Sequence, residues 1–210
     1  YIGSHGLRYS NFIFSKADLI ISIGNRMAYP VKSDSYKLLM DRVNTIRVDI
    51  DASEFERQIP NCVNIEADAN ILLATLNQNE FSYKNPDEWL PICNMLKDTL
   101  FTCDTNETVK IISDILEYID DDYTIVSDVG NNEYWLSKAY AFSKSQHRML
   151  FSKSFGALGC SLPKAIGVSI SDNNKVICFT GDQGIQINIQ ELMTIVTNKL
   201  PIMIVVINNQ

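Results

Sequence analysis

The closing stretch, Thr180 to Gln210, constrains the fold more than any other part of the chain. An apolar run, Val176-Ile177-Cys178-Phe179, ends at Gly181-Asp182-Gln183-Gly184; a second, Ile202 to Ile207, ends at Asn208-Asn209. Between them Ile185, Ile189, Leu192, Met193 and Val196 recur at helical spacing, so the segment reads as strand, helix, strand. Short unbroken apolar strands joined by a helix suggest neighbours in a parallel sheet buried on both faces. Parallel strands end on one edge, so Asp182 and Asn209 should emerge side by side on strands about 4.8 Å apart. Ligands of open α/β sheets sit at that carboxyl edge. One carboxylate and one amide oxygen suit a hard cation such as Mg²⁺, which takes waters and phosphate oxygens as its other ligands. The competing reading makes Gly181-Asp182 an ordinary strand-to-helix turn, with Asp182 near a helix N-terminus.

At 210 residues and 46% apolar, the chain is large enough for one good core or two small ones. No run approaches the roughly 20 apolar residues of a membrane span. The sequence opens at Tyr1 with neither Met nor a basic, apolar leader, and reads as the middle of a fold. Five cysteines (62, 93, 103, 160 and 178) form no CxxC spacing; they read as reduced packing residues of a cytoplasmic protein. A net charge of −7 without a basic cluster argues against nucleic acid. His5 and His147 lie far apart and offer no metal-ligand spacing.

Residues 1–78 read as one α/β unit. Asn11 to Phe14 is a short helical stretch, Ala17 to Gly24 a buried strand, Ser35 to Arg42 a helix, Asn44 to Asp51 a second strand, and 65–77 ends in a helix carrying Ile71, Leu72, Thr75 and Leu76 on one face. Residues 79–105 read as an interdomain connection with a turn at Asn85-Pro86-Asp87-Glu88 and a short helix, Trp89 to Thr99; Trp89, Met95 and Leu96 are read as packing against a neighbouring domain. Thr105 or Asn106 can cap a helix from Glu107 to Tyr118, whose stripe is Val109, Ile112, Ile115, Leu116 and Ile119. Asp120-Asp121-Asp122 reads as a solvated loop. A second α/β unit follows: a strand at Tyr123 to Ser127, the turn Asp128 to Asn132, a helix Glu133 to Ala141, and a Gly-bracketed loop, 156–159, before a helix opening at Leu162-Pro163. The fold class is α/β, with two Rossmann-like, doubly wound parallel-sheet units, both incomplete.

Gly181-Asp182, the spacer and Asn208-Asn209, with Asn188-Ile189-Gln190-Glu191-Leu192 and Asn198-Lys199-Leu200-Pro201-Ile202 between, resemble the thiamine-diphosphate motif of acetolactate synthase and its relatives. Gln183 stands where that family has Gly or Ala. Asp128-Val129-Gly130-Asn131-Asn132-Glu133-Tyr134-Trp135 resembles the family's DVGQHQMW, with shorter amides for its Gln and His; Gly156-Ala157-Leu158-Gly159 with Leu162-Pro163 resembles its GxMG followed by LP. The resemblance implies that Val129, Gly130, Asn131 and Asn132, with Gly181, Gln183 and Gly184, surround the diphosphate. It implies that Asp182 and Asn209 bind both cofactor and Mg²⁺. It also implies that the Gly156 carbonyl accepts from the aminopyrimidine and that Leu158 is the apolar wedge keeping the cofactor bent. From pattern alone Leu158 would be ordinary core.

His5-Gly6, Ala17-Asp18-Leu19, Gly24-Asn25-Arg26 and Asp49-Ile50-Asp51 resemble the second half of the family's central domain, which holds FAD in acetolactate synthases. Gly24 and Arg26 match its flavin-touching stretch; Ala28 and Pro30 depart from it, so FAD is implied only in part. Arg26 reads, in preference to a flavin contact, as a solvated or salt-bridged loop residue. Asp49 and Asp51 could hold a ribose hydroxyl, or Asp51 could cap a helix near Ser53-Glu54.

By this resemblance residues 1–78 are the C-terminal half of a central domain, and 106–210 the N-terminal half of a thiamine-diphosphate domain. The implied activity is thiamine-diphosphate- and Mg²⁺-dependent decarboxylation and ligation of a 2-keto acid such as pyruvate, by a protein that forms a homo-oligomer through the cofactor site. The activating Glu and a third metal ligand are expected outside this chain, so it is expected to be an inactive fragment by itself. The alternatives are another 2-keto acid decarboxylase of the family, a member that has lost catalysis, or a non-catalytic nucleotide- or flavin-binding α/β protein. The last would need a dinucleotide loop, and no GxGxxG is present.

Overall fold

A computed structural model describes residues 2–3, 6–27, 34–79, 88–101, 105–152, 155–172 and 174–208. His5, Ala28, Pro30, Asn209 and the turn expected at 85–87 lie outside them. The chain forms two compact units, Tyr1–Cys103 and Asp104–Gln210.

In the first unit α1 (Arg8–Ser15) leads into β1 (Leu19–Ile23), α2 (Asp34–Arg42), β2 (Asn44–Asp49), a 3₁₀ turn (Ala52–Glu56), β3 (Cys62–Glu66), α3 (Ala69–Asn77) and α4 (Trp89–Phe101). The strands pair in parallel in the order β1-β2-β3. Ile20, Leu39, Met40 and Val43 are the core, with Phe14, Ala17, Met27 and Ile59 packed against it. The sequence predicts a fully buried β1; instead Leu19, Ile21 and Ile23 are exposed and only Ile20 and Ser22 are buried. Alternate residues of a strand face opposite ways, and the described helices cover one face. Helix α4, expected within the connection, packs against α1 and groups with the first unit. Asp51 caps the 3₁₀ turn, its Oδ1 accepting from the Ser53 amide at 3.0 Å and the Ser53 hydroxyl at 2.6 Å. Strand β3 is missing from the sequence reading.

The second unit runs α5 (Glu107–Tyr118), β4 (Thr124–Ser127), α6 (Asn131–Phe142), β5 (Met149–Leu150), α7 (Ser161–Asp172), β6 (Val176–Gly181), α8 (Asp182–Ile187), α9 (Glu191–Thr197) and β7 (Ile202–Ile207). Its sheet is parallel, in the order β5-β4-β6-β7. Helix α5 forms where its stripe predicts, with the Asn106 side chain accepting from the Val109 amide at 2.8 Å. Val109, Ile112 and Leu116 are buried, each contributing about 1.5–3 kcal/mol.

Ile125, Ile177 and Phe179 join that stripe and α6's Leu136 and Ala139 in one core. Val126, Val176 and Cys178 point the other way, into a core with Leu162, Ala165 and Ile166 of α7 and Ile195 of α9. Burial on both faces explains why these strands read as continuous apolar runs. The acidic run is exposed, as its composition predicts: Asp122 pairs with Lys175 at the surface at 2.9 Å, and Asp121 Oδ1 lies 4.0 Å from the buried His147. Among the described residues no helix is long and apolar enough to cross a membrane.

The single helix expected between β6 and β7 is two. Helix α8 stops at Ile187, where Asn188 Nδ2 donates to the Gly159 carbonyl at 2.9 Å, and α9 starts with a new phase. Leu192 and Ile195 therefore face the core, whereas Ile189, Met193 and Val196 of the predicted stripe are exposed.

Candidate cofactor site at the carboxyl edge of the second sheet

Strands β4 and β6 are paired with Ser127 opposite Phe179, and β6 and β7 with Gly181 opposite Ile207, so the three release their chains at one edge. A cleft of about 360 Å³ opens there. Val129, Gly130, Asn131 and Asn132 line it from the β4 side, Leu158 from the Gly-bracketed loop, and Gly181, Asp182, Gln183 and Gly184 from the end of β6. These sequence-predicted residues, up to 55 positions apart, are thus neighbours. Gly156 is not among the lining residues. Leu158 sits at the surface of the cleft, more than half exposed, which is unlike core.

Sequence reasoning missed Trp135, Ile187 and Ile207, which add apolar wall. Trp135 lies one turn beyond Asn131 on α6, so helical spacing could have found it. It placed Asn131 and Asn132 in the turn; the structure puts them in the first turn of α6, after Gly130 as N-cap. No side chain among the described residues caps this helix. Its leading N–H groups have no intrahelical acceptor and, with the helix dipole, favour an anion in the cleft. Asn132 is 94% buried, and among the described residues its Oδ1 has no hydrogen-bond partner. A half-turn of the amide would offer the NH₂ donor in its place. Close backbone approach, an open helix start and an orphaned buried amide are the features a diphosphate group fits.

Behind the lining lies Asp128, 1% exposed. Its Oδ1 accepts from the amides of Val129 at 2.8 Å and Gly159 at 3.0 Å; its Oδ2 accepts from the hydroxyls of Ser161 and Thr180, each at 3.1 Å. Lys164 Nζ donates to the Ser127 carbonyl at 3.0 Å. Cys178, wholly buried beneath, has its thiol pushed up to about 11, chiefly by loss of solvent.

In the first unit the groups that the resemblance aligns with a flavin are already engaged. Arg26 Nε pairs with Glu54 at 3.0 Å, and Arg57 donates to the Arg26 carbonyl. Asp49 Oδ1 accepts from the Asp51 amide, and hydrogen bonds from the Ser53 hydroxyl and then its amide hold the Asp51 carboxyl below the usual range. Among the described residues no group of three or more His, Cys, Asp and Glu is arranged to hold a metal.

Comparison with known families agrees with this geometry. The family model described as thiamine pyrophosphate enzyme, C-terminal TPP binding domain, matches residues 128–210, and the one for the central domain of the same enzymes matches residues 1–76. The chain belongs to the thiamine pyrophosphate enzymes. It is 30% identical, over its whole length, to the acetolactate synthase isozyme 1 large subunit of Escherichia coli (strain K12). It is 31% identical over 99% of its length to the acetolactate synthase large subunit of Lactococcus lactis, and 29% identical over its whole length to a probable acetolactate synthase large subunit of Methanococcus aeolicus. The chain spans 37–38% of the length of these relatives.

Proposed function

We propose that the second unit holds the diphosphate end of thiamine diphosphate, in a protein that decarboxylates a 2-keto acid such as pyruvate and ligates the product to an acceptor. The observation carrying this is the convergence of residues 129–132, Leu158 and 181–184 on one cleft. The amides of Asn131 and Asn132 and the first turn of α6 would bind the phosphates, with Gln183 and Gly184 opposite. Asp182, in the cleft, would hold Mg²⁺ together with Asn209. Leu158 would orient the thiazolium end, and Trp135, Ile187 and Ile207 would exclude water from it. When bound, thiamine diphosphate supplies the electron sink for the carbanion left by loss of CO₂.

The test is calorimetric titration of thiamine diphosphate with and without Mg²⁺. Metal-dependent binding abolished in Asp182→Ala is the expected result; unchanged binding would refute the metal assignment. The 210-residue chain alone is expected to form no acetolactate, because the acid that activates the aminopyrimidine is expected elsewhere.

The finer assignments are proposals of the same kind. Residues 1–78 are taken as half of a central domain and 106–210 as half of the cofactor domain, in line with the matched segments. FAD contact by the first unit would require Arg26 to leave Glu54, and flavin fluorescence on titration reads it directly. The whole protein is proposed to be a homo-oligomer through the cofactor site, which sedimentation would reveal. The protein is taken to be cytoplasmic, as five cysteines without a CxxC spacing suggest.

A further inference from the structure

We propose that Asp128 is a positioning residue that fastens the three walls of the cleft to one another without touching the ligand. The proposal rests on the cofactor reading above for its consequence, but not for its geometry. Asp128 is absent from the residues lining the cleft, yet each wall is tied to its carboxylate. The β4 wall is held through the Val129 amide, the Gly-bracketed loop through the Gly159 amide and the Ser161 hydroxyl at the start of α7 that follows it, and the β6 wall through the Thr180 hydroxyl. Thr180 and Gly159 stand 52 and 31 residues from Asp128, so these are tertiary links. A carboxylate has about four acceptor positions, and four N–H and O–H donors occupy them.

The contacts specify the kind of role. Among the described residues they are amides, hydroxyls and, at 3.9 Å, the Cys160 thiol, with no His to relay a proton. What the site demands is a planar group of this shape with acceptors on it. Asparagine could meet most of that demand. Its oxygen can accept from both amides, which already share Oδ1, and its NH₂ can donate to the two hydroxyls, which rotate to receive it. Alanine would leave the Val129 and Gly159 amides without their acceptor and release both hydroxyls, of which Thr180 retains the Gly181 carbonyl at 3.4 Å.

The experiment compares Asp128→Ala and Asp128→Asn with Ile112→Ala, a core truncation on α5 that lies away from the cleft. Amide hydrogen exchange is read on the chain without cofactor. Asp128→Ala should speed exchange at 129–132, 158–161 and 181–184 by about tenfold or more over Ile112→Ala at matched global stability, while Asp128→Asn stays within about threefold of wild type.

Affinity for thiamine diphosphate with Mg²⁺ should fall by about thirtyfold or more in Asp128→Ala, since a cleft assembled for a smaller fraction of the time binds in proportion to that fraction; Asp128→Asn should recover most of it. If Asp128→Asn is as damaging as Asp128→Ala, charge rather than fastening is the role and the proposal fails. It also fails if Ile112→Ala loosens the three walls equally. Failure of the wild-type chain to bind thiamine diphosphate would instead count against the cofactor reading, and the exchange data would still decide the fastening.

Discussion

Gly184 rests directly against the Asp128 carboxylate: a Cβ at Gly184 would stand 2.4 Å from Asp128 Oδ2 and 3.0 Å from Thr180 Oγ1. Neither neighbour can withdraw cheaply, because each is held by the other. Gly184→Ala should therefore destabilise the second unit by about 1–3 kcal/mol, the usual range for overpacking, and weaken any ligand of the cleft. Urea denaturation reads the first effect; an unchanged midpoint would show that the contact relaxes freely.

Gly159 and Gly167 should respond in opposite directions to the same substitution. Gly159 has φ +77, and its Cβ would meet Ile187 Cβ at 2.6 Å. Left-handed strain adds roughly 1–2 kcal/mol to that clash, so Gly159→Ala should cost at least about 2 kcal/mol. Gly167 lies inside α7 with nothing within 4 Å, so Gly167→Ala should stabilise by about 0.5–1 kcal/mol. Thermal melts of the pair check the sign.

What the sequence disclosed and withheld follows the range of the interactions involved. Helix α5 was legible because Val109, Ile112 and Leu116 share a face by spacing alone and Asn106 caps locally. β4 and β6 were legible because two-sided burial leaves an unbroken apolar run. Strand β3 was hidden: Val63 and Asn64 are exposed, and its identity comes from pairing with β2. The two residues of β5 exist only through their register with Ile125 and Val126. The break between α8 and α9 depends on Asn188 meeting Gly159, 29 residues back. Asp182 was legible at the edge because an apolar run ends at Gly181-Asp182, whereas residues 129–132 and Leu158 were placed in the cleft only by the family resemblance, and Trp135, Ile187 and Ile207 by neither. Asp128 was visible as a motif letter, but its four partners come from three separate segments, and no spacing rule assembles them.

Arg47 should prove essential to the first unit. It is buried on β2, donates to the carbonyls of Glu54 at 2.5 Å and Arg57 at 3.1 Å, and stacks 5.4 Å from the Phe55 ring centroid. A guanidinium reaches two carbonyls in a fixed fork, which an ammonium cannot reproduce. Arg47→Lys should cost about 2 kcal/mol, the scale of a charge-assisted hydrogen bond, and should raise amide exchange across the 3₁₀ turn at 52–56. Exchange there at the wild-type rate would remove Arg47 from this role.

Stability should decline on the alkaline side through Cys178. Burial raises its thiol from the usual 9.0 to about 11, with the Ser161 hydrogen bond acting in the opposite, lowering direction. Between those values the unfolded chain releases the proton while the folded chain keeps it. The unfolded state then binds fewer protons, so the free energy of unfolding falls as pH rises. The stabilisation is fully present below pH 9 and is lost by about pH 11, a change on the order of 2 kcal/mol. Tyrosines and lysines titrate in the same window, so the informative quantity is the difference between wild type and Cys178→Val. That variant keeps a small apolar side chain in the core with Leu162 and Ala165 while removing the ionisable group. Urea midpoints from pH 8 to 11 should fall less steeply for Cys178→Val than for wild type, because deprotonation of the unfolded thiol no longer competes with folding. Parallel curves would mean that Cys178 ionises as readily in the folded unit as in the unfolded chain.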